Sequence, residues 1–405
     1  KNRNYRKPLF AISMFVNLGM LGVFKYFDFY VTEIATGLQG LGVDVNFTTL
    51  NLILPVGISF YTFQTMSYTF DIYRGTLKAR TNFVDYLVYV TFFPQLVAGP
   101  IERASHLLPQ LEKPRIFRAE QVISGLGLAM FGAFKKVCVA DMIAPYVAKV
   151  FLLENPSTAL VVAGAGAFGL QILADFSGYT DIARGSARML GIELVENFDH
   201  PYLATTTPEF WRRWHISLSS WIADYVYVPL VRRGRSSMLR VAAVLMVTFF
   251  LVGLWHGAHY NFLLLGLWHG SWMVIYTFGV PLIPKGIRSI PGGRYLAAVI
   301  HLLVVLLPGA VMFREVSLER VWRHFAQNPF ANTREELVTA TIVLGMLVVT
   351  ALPLWLAMAA EKFLIPRIRD KAWYLPFQTS VWGVEAAAIF LFYRGGASDF
   401  IYFQF

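Results

Sequence analysis

Apolar segments of about 20 residues recur along almost the whole chain, and they limit what it can fold into. A segment of that length crosses the hydrocarbon core of a bilayer as a helix, which satisfies its own backbone polar groups. The composition agrees, because 56% of the residues are hydrophobic and only 15% are charged, against about 25% in soluble domains. The sequence therefore predicts an all-α polytopic membrane protein with spans near residues 9–30, 52–70, 121–152, 158–174, 241–257, 260–280, 295–313, 338–359 and 378–394.

The lysines and arginines between the spans predict which side of the membrane each loop faces. Basic loops stay preferentially in the cytoplasm, so we place residues 1–7, 74–80 and the arginines of 232–240 inside. Segments 31–51 and 154–157 contain no lysine or arginine and are placed outside. The formal net charge of +10 then belongs to cytoplasmic loops, and we expect membrane lipids rather than nucleic acid as the contacting surface.

Two apolar segments are not plain spans. Residues 83–99 contain Phe-Pro and Gly-Pro pairs, which predict a partial or re-entrant segment. The span at 121–152 carries three charged side chains in its middle, so we expect it to break near Lys135, Lys136 and Asp141.

Residues 175–235 are polar, aromatic and charged, and we predict that they lie at the cytoplasmic face and dip into it. Within them, 208–230 is expected to form one amphipathic helix in the interface, with Thr207 as its N-cap. Arg184 follows Asp181 at helical spacing, so an ion pair between them is expected.

A duplicated pentapeptide carries the first chemical signal. Gly-Leu-Trp-His-Gly occurs at 253–257 and again at 266–270, and it places His256 and His269 inside an almost purely apolar run. An ionisable group at membrane depth is costly and is a functional candidate by default. Two histidines in matching frames favour a functional pair over satisfied structural histidines, and the glycines predict close helix packing.

The second signal lies in residues 175–221. Arginines interleaved with tryptophans can hold phosphates while they stack on a flat ring, as a nucleotide-bearing donor such as coenzyme A requires. The alternatives are an anchor for anionic lipid and, for the carboxylates, a buried charge network that satisfies itself. The candidate donor-binding residues are Asp175, Ser177, Tyr179, Trp211, Arg212, Arg213, Trp214 and His215.

Other kinds of site are not supported. The single cysteine, Cys138, cannot form an internal disulfide or a cysteine zinc site. His259 lies three residues after His256, but its neighbours supply no further good metal ligands, so we expect no metal ion. The glycine pattern at 164–169 lies in an apolar span without a preceding strand, which favours helix packing over dinucleotide binding.

The chain resembles the membrane-bound O-acyltransferase family, and within it the bacterial alginate O-acetyltransferase branch. Seven blocks carry the resemblance, in family order over most of the sequence: LPVGISFYTFQTMSYTFDIYRG at 54–75, FFPQLVAGPIERASHLLPQL at 92–111, FKKVCVAD at 134–141, DFSGYTDIARGSARMLG at 175–191, ENFDHPYLATTTPEFWRRWHISLSSW at 196–221, GLWHGA at 253–258 and FR at 313–314.

The resemblance implies a bundle of helices around a narrow membrane tunnel. It implies one domain over 1–405 with further spans upstream of Lys1, in a bacterial inner membrane. His256 matches the essential histidine of the family and would act as general base or carry the acyl group, and His269 would orient it or stabilise an oxyanion. Acetyl-CoA would be the donor substrate, with no tightly bound cofactor. The acetyl group would cross the membrane to an extracytoplasmic partner acyltransferase that serves an extracellular polysaccharide.

A proton-coupled secondary transporter is the alternative from another class. Histidines and carboxylates inside the membrane can form a proton relay. Transporters often contain inverted repeats of several spans, and the only repeat in this sequence is the pentapeptide.

Overall fold

The computed structural model of the chain describes residues 5–45, 47–96, 99–232, 237–284, 286, 290, 292–315 and 317–393. Helices dominate the described part of the chain. In order they are α1 (Arg6–Gly40), α2 (Ile58–Arg74), α3 (Phe83–Thr91), α4 (Ala104–Glu112), α5 (Ala119–Leu152), α6 (Thr158–Met189), α7 (Thr207–Arg213), α8 (216–232), α9 (Met238–His256), α10 (Tyr260–Gly279), α11 (Gly293–Arg314), α12 (Leu318–Ala326), α13 (Arg334–Ile368) and α14 (Tyr374–Phe392).

Eight of the described helices are long and apolar enough to cross a membrane: α1, α5, α6, α9, α10, α11, α13 and α14. The predicted all-α polytopic membrane protein is therefore confirmed. The remaining predicted span, 52–70, corresponds to α2, which begins later and has buried polar side chains at Thr62, Gln64 and Ser67.

Hydrogen bonds and an ion pair show which parts of the helices lie together at one end of the bundle. The Arg6 guanidinium donates to the Tyr73 carbonyl, beside Arg74, whose own guanidinium reaches the backbone of Asp224 on α8. Arg103 pairs with the same Asp224 at 3.2 Å. We call this the basic end of the bundle. Four residues that entered the orientation prediction lie outside the described residues: Lys1, Arg3, Arg233 and Arg235.

The other end of the bundle, which we call the opposite end, joins the loop after α5 to α12 and the loop after it. Arg320 donates to the carbonyl of Phe151 at 2.6 Å, and the amide of Ala159 donates to Asn332 at 3.1 Å. Loop 154–157 therefore lies opposite the basic loops, as the charge pattern predicts.

Helix α6 is the central helix, and 61% of its spanning window is buried. The sequence predicted that this span ends at residue 174 and that a surface segment begins at residue 175. That prediction is wrong, because the helix continues without a break to Met189. Likewise, α5 does not break at its charged residues but forms a π turn, Lys135–Ala140, within a continuous helix. Both corrections have one cause: the charges of α5 and α6 neutralise each other inside the bundle, so neither helix has to leave the membrane to solvate them.

The partial segment predicted at 83–99 is confirmed in its described part. Helix α3 has nine residues and is followed by a break at Phe92 and a four-residue turn, Phe93–Leu96. Nine residues rise about 13 Å, less than half of a hydrocarbon core.

The single helix predicted for 208–230 is two helices. The chain turns at His215, which has the left-handed φ of 43° and lies between α7 and α8. The N-cap of α7 is Thr206 rather than Thr207, and its side chain accepts a hydrogen bond from the Glu209 amide. The turn was hidden from the sequence because a histidine in the left-handed region is uncommon and carries no turn signal of its own.

The duplicated pentapeptide forms the crossing of α9 and α10, which run antiparallel through a three-residue connection. A side chain at Gly253 would collide with the Phe262 carbonyl, and one at Gly266 would collide with the Phe249 carbonyl. The close packing predicted for these glycines is confirmed, and it brings His256 and His269 to the same region of the bundle.

We expect Gly253→Ala to destabilise the protein by about 1–3 kcal/mol, because the added methyl group must push two helix backbones apart. Gly345→Ala in α13 is the matched control, since a methyl group there meets nothing within 4 Å. Thermal unfolding in detergent followed by fluorescence measures both variants. Equal stability of the two would contradict the close crossing.

Candidate active site

Both histidines of the repeat line one chamber of about 70 Å³. His256 is the last residue of α9, and His269 lies in the middle of α10; each is 6% exposed. The chamber is otherwise mostly apolar and is lined by Phe168, Gly169, Ile172, Tyr202, Phe210, Trp211, Trp214, Leu265, Leu306, Gly309, Ala310 and Phe313.

Aromatic rings fix the two imidazoles. The ring of Phe210 stacks on His269 at 6.2 Å between centroids, and the Trp211 indole meets the same imidazole edge-on at 5.2 Å. His256 packs edge-on against Phe313 of α11 at 5.1 Å. Phe210 and Trp211 both belong to α7, so this short helix reaches the depth of His269, at the middle of a membrane span.

Glycine 309 of α11 completes the wall behind His269. A side chain there would lie 3.0 Å from His269 Nε2, tighter than an ordinary van der Waals contact. The imidazole therefore lies directly on the α11 backbone, and a larger residue would push it into the chamber.

A larger cavity of about 440 Å³ adjoins the chamber on the side of the basic end. It runs between α7–α8 and the helices α9 and α10, and we call it the groove. The Trp211 indole is part of the walls of both cavities. The groove is lined by Pro208, Trp211, Arg212, Ile216, Leu218, Ser219, Ser220, Ile222, Ala223, Tyr227, Leu245, Thr248, Phe249, Val252, Met273 and Thr277.

The order of residues along α9 and α10 gives the relative depth of the two cavities. On α9 the groove uses 245–252 and the chamber uses His256; on α10 the groove uses Met273 and Thr277, and the chamber uses Leu265 and His269. Because α9 begins at the basic end, the groove lies nearer that end and the chamber nearer the opposite end. The two cavities thus follow each other across the membrane, with Trp211 between them.

Three of the predicted donor-binding residues in and just after α7 line cavities. Arg212 belongs to the groove, Trp214 to the chamber and Trp211 to both. Arg213 instead pairs with Glu209 at 3.0 Å, one helical turn earlier. Burial opposes ionisation of Glu209, but hydrogen bonds from Thr205 and the charge of Arg213 outweigh it and hold the pKa of Glu209 below its usual value.

His215 was predicted as a donor contact, but the structure buries it completely behind the cavities. Its ring lies among Phe60, Phe176 and Trp255, with centroid distances of 6.2, 4.8 and 5.7 Å. Trp255 in turn lies against His256 at 5.0 Å. His215 therefore supports the turn between α7 and α8 and the packing beneath the chamber.

Asp175, Ser177 and Tyr179 are not brought together with Arg212. They lie in α6, and in the described part of the chain they belong to the wall of neither cavity. Asp175 pairs with Lys136 at 2.8 Å, and Lys136 also pairs with Asp141 at 2.9 Å. For Asp175 the geometry favours the alternative interpretation, a buried charge network whose members satisfy each other. A contact of Asp175, Ser177 or Tyr179 with a donor stays a prediction.

A second group of ion pairs joins α5 to α6 nearer the basic end. Lys135 pairs with Asp181 at 2.6 Å, and Arg184 lies 3.6 Å from the same carboxylate. The predicted pairing of Asp181 with Arg184 is confirmed. Together the pairs fasten α5 to α6.

Two further residues of the site region had no distinctive sequence pattern. His301 of α11 is fully buried, lies 3.3 Å from the Thr207 hydroxyl, and packs on Phe210 at 6.1 Å. Tyr202 lines the chamber and donates to the Gly169 carbonyl at 2.6 Å. Only burial and proximity in the fold reveal them.

The arrangement suits transfer of a small group carried on a longer molecule. The groove is open enough for an extended apolar arm and carries the Arg212 guanidinium for an anion. The chamber offers two imidazoles, groups that accept and donate protons, in a site mostly shielded from water. No pair of residues in the described cavities offers a comparable constellation of a serine or cysteine with an adjacent base.

Comparison with known proteins gives a matching family. The model described as the membrane-bound O-acyltransferase family matches residues 75–279, which include α7, the groove and both histidines. A relative from Azotobacter vinelandii, named a probable alginate O-acetylase AlgI, is 39% identical over 317 residues, covering 78% of this chain and 62% of the relative. A peptidoglycan O-acetyltransferase of Helicobacter pylori is 34% identical over 288 residues, covering 64% and 53%.

A more distant relative is the teichoic acid D-alanyltransferase of Bacillus subtilis, 29% identical over 246 residues, which cover 56% of this chain and 60% of the relative. The three relatives are named for different molecules: alginate, peptidoglycan and teichoic acid. The chain spans less than two thirds of the length of each of them.

If Asp175 serves the buried charge network, Asp175→Asn should lower stability, by up to about 3 kcal/mol, because Lys136 loses one of its two carboxylates. Glu193→Gln is the control, since it removes the partner of Arg188 from a pair that is about half exposed and should cost under about 1 kcal/mol. Thermal unfolding gives both values. A loss of coenzyme A affinity in Asp175→Asn, with unchanged stability, would instead favour the donor role.

Proposed function

This chain belongs to the membrane-bound O-acyltransferase family, and on that basis we propose that it transfers an acetyl group from acetyl-CoA toward a hydroxyl acceptor across the membrane. The observation that carries the proposal is the alignment of the two cavities. A groove with an arginine at the basic end leads to a chamber with two histidines, and Trp211 separates them.

The donor's parts match the cavities in size and chemistry. Arg212 lies where phosphates of coenzyme A would bind from the cytoplasm, and the groove of about 440 Å³ accommodates the flexible arm that ends in the thioester. The chamber is much smaller than the groove, at about 70 Å³ against about 440 Å³. The small size favours a short acyl group beside the histidines, and hence acetyl-CoA as the donor.

His256 is the reacting histidine in this proposal. As general base it takes the proton of the acceptor hydroxyl while the oxygen attacks the thioester carbonyl; the carbon–sulfur bond breaks, and the imidazolium returns the proton to the sulfur of coenzyme A. Alternatively, the imidazole itself attacks the thioester carbonyl, the carbon–sulfur bond breaks, and the imidazole proton passes to the departing sulfur of coenzyme A. The acceptor hydroxyl then attacks the acetyl-imidazole, takes the acetyl group and returns a proton to the imidazole. His269 supports either route, by orienting His256 or by stabilising the oxyanion.

The acceptor reaches the chamber from the opposite end. His256 terminates α9 there, one residue before the connection to α10, so a hydroxyl from the extracytoplasmic side has a short path. The relatives are named for alginate and peptidoglycan acetylation, and we propose an extracellular polysaccharide as the final acceptor. An extracytoplasmic partner acyltransferase would receive the acetyl group first, and the chain would reside in a bacterial inner membrane.

The transporter alternative has no observation in its favour. The carboxylates that it would use as a relay, Asp175 and Asp181, are engaged with Lys136 and Lys135, and both lie away from the histidine chamber. Proton-driven uptake of a solute into vesicles, without thioester cleavage, would support the transporter function.

The test of the proposal is incubation of the purified protein with radiolabelled acetyl-CoA. We expect His256→Ala to lower label transfer or thioester hydrolysis by about 10²- to 10⁴-fold, the usual contribution of a general base, with normal thermal stability. His259→Ala, an exposed histidine three residues away, should stay within about twofold. Substantial turnover by His256→Ala would refute the assignment.

Mass spectrometry of the wild type without acceptor separates the two routes, since only an acyl-carrying histidine gives acetylated His256.

Separate substitutions of the two adjacent arginines test the donor site. Arg212→Gln should weaken coenzyme A binding about tenfold at low salt, because a phosphate loses its charged partner, and salt should shrink the loss by screening. Arg213→Gln should change binding little, since that guanidinium is engaged by Glu209. Calorimetry at two salt concentrations measures both. Equal losses for the two variants would place the phosphates outside the groove.

A further inference from the structure

An amino group from a distant helix meets the residue that ends α9. Lys25 lies in α1, near the middle of a long apolar helix, and the sequence suggests that its side chain extends to the interface. In the structure its ammonium group has protein partners. Its Nζ donates to the carbonyl of Trp255 at 2.6 Å and to the carbonyl of His256 at 3.0 Å.

The next residue of α1 makes a third contact of the same kind. The Tyr26 hydroxyl donates to the Leu254 carbonyl at 2.7 Å. Both side chains come from a π turn, Gly22–Tyr26, within α1. Such turns are rare and often occur at functional sites.

The end of α9 needs these donors. The last four carbonyls of a helix have no partner within the helix, and Trp255 and His256 are buried away from solvent. Helix α9 stops abruptly at His256, because Gly257 is extended and the chain turns at once into α10. Three consecutive terminal carbonyls, those of Leu254, Trp255 and His256, are therefore satisfied by α1. A cation at a helix C-terminus also interacts favourably with the helix dipole.

We propose that Lys25 and Tyr26 are positioning residues for His256. They hold the last turn of α9 in a defined conformation, and the last turn fixes the direction in which the imidazole enters the chamber. The inference rests on the proposed function for its consequence in turnover, but the hydrogen bonds themselves do not depend on it.

The contacts around the imidazole show why the backbone needs this support. Phe313 and Phe262 pack against the ring, with centroid distances of 5.1 and 6.2 Å, and they limit its tilt. They do not hold the main chain of α9. A frayed last turn would shift the whole imidazole, and a misplacement of about 1 Å can cost about 10²-fold in rate.

The test compares three substitutions in α1. Lys25→Met keeps the apolar stem and removes the donors, Tyr26→Phe removes a single hydroxyl, and Lys25→Arg keeps a donor. The matched control is Ser13→Ala, which removes a hydroxyl 3.1 Å from Thr69 of α2 and so perturbs α1 without touching α9. Acetyl-CoA turnover gives kcat and KM, and hydrogen exchange followed by mass spectrometry reports on residues 250–262.

We expect Lys25→Met to lower kcat by about 10- to 100-fold with KM for acetyl-CoA within about threefold, and to speed exchange in the last turn of α9 several-fold. Tyr26→Phe should show the same pattern more weakly, which keeps the test valid if Lys25→Met does not fold. Lys25→Arg should recover most of the kcat.

Two results would overturn the proposal. One is unchanged kcat and unchanged exchange in Lys25→Met; the other is a similar loss of kcat in Ser13→Ala, which would reflect general packing of α1. The exchange measurement needs no turnover. It therefore distinguishes a failure of the Lys25 contacts from a failure of the proposed acetyl transfer, which would show as an inactive wild type.

Discussion

The close crossing of α9 and α10 is the constraint on which the site depends. Gly253 and Gly266 allow backbone-to-backbone contact that any side chain would prevent. Lipid tails are as apolar as leucine, so association of membrane helices relies on such packing rather than on the hydrophobic effect. The same repeat that creates the crossing carries one histidine in each helix. Packing and chemistry are therefore supplied by a single pentapeptide, and both imidazoles line one chamber.

The helices α7 and α8 convert that pair of imidazoles into an enclosed site. The left-handed turn at His215 separates α7 from α8, and Phe210 and Trp211 of α7 reach His269. One short helix thus closes the chamber and also presents Arg212 to the groove. Such a non-spanning segment is tolerated at depth because other helices surround it. The charge network between α5 and α6 holds the surrounding scaffold in place without lining either cavity.

Sequence reasoning performed well where a signal is local. Eight of the nine predicted spans, the short helix in 83–99 and the ion pair of Asp181 with Arg184 follow from length, proline placement and helical spacing, and the structure confirms them in its described residues, although α6 continues well beyond the predicted end of its span. It failed where a charged residue has a distant partner. Lys135 and Asp175 were interpreted as marks of a break and of a surface segment, yet they lie within continuous helices. A charge in an apolar run signals only that a partner exists; the fold decides which one.

The sequence by itself determined that this is a helical membrane protein of its family, and it singled out His256 and His269 as candidates from their duplicated frame. Only the tertiary structure decided which polar residues line the cavities and which pair with each other in the scaffold. It separated Arg212 from Arg213, moved Asp175 to the α5–α6 contact, and brought Lys25 to the end of α9. The physical reason is that burial is costly for every polar group. Whether a partner within the protein offsets that cost depends on which side chains the fold brings together, from 39 residues apart for Asp175 and Lys136 to 230 for Lys25 and Trp255.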